Sequence, residues 1–368
     1  MKNFKKLFTP LKIGNITLKN RITLAPMFLC YGNKDGTVSE KMVEFYARRA
    51  KAGVSLLVVE ASAVDAKGAG SPRMIRVDED RFIPGLRRLA GAIKDAGGYA
   101  VLQIYHGGRY SLTPVAPSPV ETYLTPETKI IPKEMTGDEI KDVINKFGEA
   151  AKRAKKAGFD GVEIHGATGY LLVQFISPRT NKRTDEYGGS LQNRMKFPLE
   201  VVASVRKQVG KDYLVGYRFM PDEWLPDGVT LNEGKILAKR LERAGIDYLS
   251  CNTGTYESWA LPEVMKLTAK PGYQVDIIHE IKKEAKIPVF TNGRITTPEL
   301  AEEIIASGKA DAVALARPLF ADPEFVQKTM EGKSDRIVKC MNDWICMRNT
   351  TQGMDAVCSQ WKKSESSA

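Results

Sequence analysis

Eight short apolar runs, each followed by a helix-patterned stretch, set the strongest limit on how this chain can fold. They fall at Ile22–Ala25, Ser55–Glu60, Ala100–Ile104, Gly161–His165, Leu214–Arg218, Tyr248–Asn252, Val289–Thr291 and Ala312–Ala316. The runs are continuous rather than alternating, which suits parallel strands covered on both faces. Three are introduced by the same device, a helix ending in a small residue and glycine and then leading through Asp: Ala157-Gly158-Phe159-Asp160, Ala244-Gly245-Ile246-Asp247 and Ser307-Gly308-Lys309-Ala310-Asp311. Glycine there supplies the left-handed conformation that ends a helix. Eight strand–helix units in 368 residues predict an α/β chain, a TIM (β/α)8 barrel over 1–330 with a cysteine-containing tail over 331–368. A doubly wound sheet would need a phosphate-binding glycine loop after its first strand, where this chain has Pro26-Met27.

Composition removes several classes of function. At 43% hydrophobic and 27% charged residues the chain is an ordinary globular one, and no apolar run is long enough to cross a bilayer. The start, MKNFKKLFTP, lacks the apolar segment of a signal peptide, so a cytoplasmic protein is expected. The net charge of +11 is spread over helical stretches and mixed with acids. That pattern argues against nucleic acid and favours small anionic ligands. Five cysteines are few for a disulfide framework, and three of them, Cys340, Cys346 and Cys358, crowd into the last 30 residues.

Barrels of this kind place their chemistry at the C-terminal ends of the strands. Those ends read Pro26-Met27, Glu60-Ala61, Gln103 with His106, His165, Arg218, Asn252-Thr253-Gly254, Asn292-Gly293-Arg294 and Ala316-Arg317. The last two pairs offer backbone amides and guanidinium groups to a phosphate. A phosphate there anchors a cofactor whose ring lies over the mouth. Gln103 and Arg218 suit the polar edge of a heterocycle that gains negative charge on reduction. The stretch VEIHGATGYLLVQFISPRTNKRTDEYGGSLQNR puts His165, one of three histidines, at the end of the fourth run, with Tyr170 five residues later. A ligand-binding histidine beside a phenolic proton is the layout of a proton-coupled reduction site. His106 reads equally as a site-orienting or a structural residue, His279 as a helix-surface residue, and Cys30 as buried packing. The run Arg183–Gly189 reads as a loop held by ion pairs that shapes the mouth.

Taken together, LFTPLKIGNITLKNRITLAPM, LQIYHGGR, the His165–Tyr170 stretch, YRFMPDE, TNGRI and LARPLFADP resemble the Old Yellow Enzyme family of FMN-dependent ene-reductases. The resemblance covers residues 7 to about 325. The tail, PEFVQKTMEGKSDRIVKCMNDWICM, is similar to the branch containing 2,4-dienoyl-CoA reductase, enoate reductases and trimethylamine dehydrogenase. There a cysteine-ligated iron–sulfur cluster follows the barrel, and an FAD/NAD domain follows the cluster. The resemblance implies that Pro26, Met27, Ala61, Gln103 and Arg218 contact the FMN ring, and that Gly293, Arg294, Ala316 and Arg317 contact its phosphate. His165, helped by Thr168, polarises the substrate's carbonyl, and Tyr170 delivers a proton. The implied activity is reduction of a C=C bond conjugated to a carbonyl, carboxylate or thioester in an enone, enoate or enoyl-CoA, with NAD(P)H as reductant. An amine dehydrogenase, or an FMN-carrying subunit of a larger electron-transfer complex, are the alternatives.

The chain departs from the family pattern at three places. Thr168 stands where His or Asn usually pairs with the histidine, which opens the choice of substrate. Phe28 stands where a Thr or Cys often donates to the flavin, which predicts a lower flavin potential. In the tail, Cys340-x2-Asp343-x2-Cys346-x11-Cys358 keeps the cluster spacing with aspartate as the second ligand. A [4Fe-4S] cluster with one carboxylate-ligated iron, a [3Fe-4S] cluster, a vestigial site with free thiols and a zinc site all stay open. The sequence ends ten residues after Cys358. Electrons are therefore expected directly from NAD(P)H or from a separate FAD-containing subunit, and a homo-oligomer is equally compatible.

Overall fold

The computed structural model describes residues 4–125 and 128–361. Eight parallel strands close into a barrel: β1 (Ile22–Leu24), β2 (Leu56–Ala63), β3 (Tyr99–Tyr105), β4 (Gly161–Gly166), β5 (Leu214–Phe219), β6 (Tyr248–Cys251), β7 (Val289–Thr291) and β8 (Ala312–Leu315). Each strand pairs with its neighbours in chain order, and β8 pairs with β1. The eight apolar runs are these strands. Ala25, Asn252 and Ala316 fall just beyond them in loops, and β2 runs on to Ala63 across a register shift between Val59 and Ser62.

The repeated Gly–Asp device has two parts. Gly158, Gly245 and Gly308 take φ of 88°, 98° and 72°, ending their helices as expected. The aspartates then reach back to the preceding strand. Asp160 accepts from the Ala100 N–H at 2.8 Å, Asp247 from Val215 at 2.7 Å and Asp311 from Val289 at 2.9 Å. Each carboxylate thus satisfies a backbone donor at a strand's start and fixes the closed end of the barrel.

An N-terminal hairpin of Leu11–Ile13 and Ile16–Leu18 covers that closed end. It packs Leu11, Ile13 and Leu18 with Leu56, Val58, Val101, Leu214, Tyr248 and Phe290 of the barrel interior. Helices wrap the outside. Helix α1 (Gly137–Lys156) shows why they form: a Thr136/Glu139 capping box starts it, and Ile140, Val143, Phe147, Ala151 and Ala154 bury one face. Among the described residues no helix is long and apolar enough to cross a membrane.

After β8 the chain forms helices Arg317–Ala321, Phe325–Met330 and Ile345–Thr351 and folds back on the barrel. Ala356 donates to the Leu29 carbonyl and accepts from the Tyr31 hydroxyl, both at 2.8 Å. Asp355 pairs with Arg73 at 2.7 Å and Lys41 at 3.1 Å. The Trp361 indole packs on Phe320 at 4.6 Å and donates to the Ala321 carbonyl.

Candidate active site

Side chains two apart on a strand share a face, so Glu163 and His165 of β4 form two successive levels. Across the sheet, Glu163 lies beside Gln103 of β3, and His165 beside Arg218 of β5. Glu163 is fully buried and accepts from the Gln103 amide at 2.8 Å and the Tyr248 hydroxyl at 3.1 Å. Arg218, also buried, donates to Ser250 Oγ at 2.8 Å. Burial raises the Glu163 carboxyl above its usual range and lowers the Arg218 guanidinium, and each opposes the shift of the other. Of the two predicted ring contacts, Gln103 is therefore held by the buried carboxylate, and Arg218 is held by Ser250 and feels that carboxylate's charge. Sequence reasoning missed Glu163, although an acid inside an apolar strand two residues before His165 was a readable signal.

His165 Nδ1 accepts from the Ala167 N–H at 3.4 Å, which leaves Nε2–H as the ring's donor. Burial, and then the Arg218 charge, push its pKa down to about 3. The imidazole is thus a neutral hydrogen-bond donor at physiological pH. Tyr170 meets it edge to face at 4.9 Å. Burial raises the Tyr170 phenol well above its ordinary pKa, so it stays protonated and able to donate. Thr168, between them, has φ of 67°, a strained conformation for a β-branched residue. Its backbone bridges to Thr255 in the loop after β6. Gly166 has no room for a side chain, since a Cβ there would lie 2.2 Å from the Tyr217 ring.

At the other side of the mouth, Gly293 and Arg294 take successive left-handed conformations, with φ of 100° and 51°. Buried Gln274, which the sequence reading passed over, ties this corner together. It accepts from the Thr253 N–H at 2.9 Å and hydroxyl at 2.8 Å, and donates to Asn292. Burial and the nearby Arg317 charge both lower the Arg294 pKa. Arg317 donates to Asn342 at 2.9 Å and lies over the Trp344 ring at 4.7 Å. Neither guanidinium forms an ion pair among the described residues, so two mutually repelling cations beside left-handed backbone fit a phosphate. Pro26 and Met27 follow β1. Phe28 and Ala61 pack in one cluster with Tyr105 and Tyr170, placing an apolar ring at the former donor position.

Three lesser expectations can be placed. His106 is buried, accepts from the Gly108 N–H at 3.1 Å and is lowered by burial to a pKa of about 4. His279 is half-buried, with Nδ1 enclosed and unpartnered, rather than on the open helix surface. Arg183 pairs with Asp185 at 2.5 Å and Glu134 at 3.2 Å, so ion pairs do hold that loop.

In the tail, Cys340, Cys346 and Cys358 are free, half-buried thiols. They and Asp343 feel one another's charges. Asp343 accepts from the Ile345 N–H at 3.2 Å and from the Ser359 hydroxyl. Among the described residues no group of three or more His, Cys, Asp or Glu closes around a single metal ion.

Residues 6–336 match the profile of the NADH:flavin oxidoreductase / NADH oxidase family. The chain belongs to this family. It is thus an enzyme of the Old Yellow Enzyme group, for which FMN and a nicotinamide reductant are the implied cofactors. The NADH oxidase of Thermoanaerobacter brockii is 44% identical over 352 residues, covering 93% of this chain and 53% of that protein. The cinnamate reductase of Clostridium sporogenes is 37% identical over 368 residues, covering 92% and 55%. A 2-naphthoyl-CoA reductase solved with 2-naphthoyl-CoA superposes with a TM-score of 0.93 at 31% identity, covering 98% of this chain and 57% of that one. This chain therefore spans about half the length of these relatives.

Proposed function

We propose that the protein is an FMN-dependent ene-reductase, reducing a C=C bond conjugated to a carbonyl, carboxylate or thioester at the expense of NAD(P)H. The observation that carries this reading is a neutral imidazole donor in edge contact with a protonated phenol, at a strand end of a barrel whose mouth also carries an anion cradle. FMN, when bound, supplies the hydride. Gly293, Arg294, Ala316 and Arg317 would hold its phosphate, and Pro26, Met27, Ala61, Gln103 and Arg218 its ring. His165, with the Thr168 hydroxyl, hydrogen-bonds the substrate oxygen and stabilises the charge that develops there. Tyr170 donates its proton to the carbon α to the carbonyl. Two relatives are named for reducing cinnamate and naphthoyl-CoA. With the net charge of +11, this favours anionic acids or CoA esters as substrates in the cytoplasm. Arg294→Ala should weaken FMN binding by about 1.5–3 kcal/mol, the range for a charge-assisted contact. Fluorescence titration of FMN-depleted protein measures this, and an unchanged Kd removes Arg294 from the cradle.

One observation favours amine oxidation instead. Tyr105, Tyr110, Tyr170 and Tyr256 cluster beside His165, as an aromatic cage for a cation requires. Their faces are filled by one another's edges, however, and the buried Arg218 charge opposes a second cation. Flavin reduction by trimethylamine, with no reoxidation by any enone, would reverse the choice.

For the tail we propose an iron–sulfur cluster on Cys340, Cys346 and Cys358. Asp343 is already hydrogen-bonded, which supports a three-thiolate cluster over a carboxylate-ligated one. Anaerobic preparation should give about three to four irons per chain, lost in air, since the fourth thiolate is missing. Asp343→Cys should make the cluster more oxygen-resistant. Iron-free anaerobic protein with three titratable thiols makes the tail a vestigial site.

A further inference from the structure

Tyr170 can give its proton once, and the phenolate left behind must then be reprotonated. We propose that Tyr256 carries that proton, linking Tyr170 to solvent as the outer member of a two-phenol relay. This inference rests on the ene-reductase reading and extends it to the proton's route.

Tyr256 opens the short helix Tyr256–Trp259 that follows β6. Its hydroxyl lies 2.5 Å from that of Tyr170, and the rings meet at 5.8 Å and 78°. The cluster has a dry and a wet end. Tyr105, packed on Tyr170 at 4.6 Å, is 2% exposed, whereas Tyr256 is 44% exposed. Burial raises the pKa of both phenols, and the shared hydrogen bond adds to that rise at Tyr170 and opposes it at Tyr256, so both start protonated and Tyr256 is the readier donor of the two.

The placement of Tyr256 is built rather than incidental. Its neighbour Glu257 is gripped by the buried Arg109 and by Arg179, each at 2.6 Å, and Arg179 is anchored by Asp227 at 2.8 Å. Thr255 and Ser258 cap the helix reciprocally. The Thr168–Thr255 bridge fixes this loop against the one that carries Tyr170. Tyr110 and Trp259 also hold the Tyr256 ring, at 5.4 and 5.8 Å.

The step balances without any electron transfer. The Tyr170 O–H bond breaks as its proton passes to the substrate carbon. Tyr256 then gives its proton to the Tyr170 oxygen, and water at the exposed phenol reprotonates Tyr256, leaving hydroxide. One proton is drawn from solvent for each hydride delivered.

The test uses reduced holoenzyme, mixed with an enoate in weak buffer containing a pH indicator. In the wild type, flavin reoxidation and proton uptake should coincide. In Tyr256→Phe the first reoxidation should slow far less than in Tyr170→Phe, because Tyr170 starts protonated. Proton uptake should then lag, and multiple turnover should fall roughly tenfold or more. Both should recover as imidazolium is added, a rescue that a merely structural role does not show. Coincident uptake with unchanged turnover in Tyr256→Phe, or a loss that imidazolium leaves untouched, overturns the relay. A wild-type protein that no conjugated acceptor reoxidises overturns the ene-reductase reading itself.

Discussion

Tyr170→Phe is expected to slow reoxidation of the reduced protein by a conjugated acceptor by roughly 10²–10⁴, the range for a lost general acid. Reduction by NAD(P)H should proceed at the wild-type rate, because that half-reaction takes a hydride and asks nothing of a phenol. Phenylalanine keeps the ring contacts with His165 at 4.9 Å and Tyr105 at 4.6 Å, so the local packing survives. Stopped-flow absorbance separates the two half-reactions. Equal slowing of both would make Tyr170 a packing residue and leave the site without its proton donor.

Glu163→Leu should cost about 3–5 kcal/mol of stability, the usual result of stranding a buried charge. The carboxylate is the counter-charge to Arg218 and the acceptor for Gln103 and Tyr248. Its removal leaves a guanidinium without compensation inside the barrel. Adding Arg218→Met should recover most of the loss, because it removes the buried cation that Glu163→Leu leaves without a counter-charge. The double variant should still bind FMN poorly, since Arg218 is gone and Gln103 has lost its anchor. Chemical denaturation followed by circular dichroism measures the cycle. A cost below about 1 kcal/mol for Glu163→Leu would mean that water or another group already neutralises Arg218.

The barrel was legible because its signals are local. Continuous apolar runs mark strands buried on both faces, and Gly158, Gly245 and Gly308 mark the helix ends before them. The reach of Asp160, Asp247 and Asp311 back to earlier strands was not legible, since it crosses 60, 32 and 22 residues of chain. The same limit applies at the site. His165, Tyr170, Gly293 and Arg294 sit in readable positions within one segment each. Tyr256 and Tyr105 matter only through contact with Tyr170, across 86 residues in the case of Tyr256, and Gln274 only through Thr253 and Asn292, in loops it does not belong to. The N-terminal hairpin has three-residue strands, too short for periodicity to show. In the tail the spacing of three cysteines was plain, but the engagement of Asp343 by Ser359 could be seen only in three dimensions.

The central claim is tested most directly by an anaerobic titration of the purified protein. NAD(P)H should bleach one bound FMN per chain, and a panel of enoates, enones and enoyl-CoA esters should be screened for the acceptor that restores its colour. With a deuterated nicotinamide in ordinary water, the saturated product should carry one deuterium at the β-carbon and a solvent hydrogen at the α-carbon. Bound FMN that NAD(P)H bleaches but no conjugated acceptor restores would contradict the account.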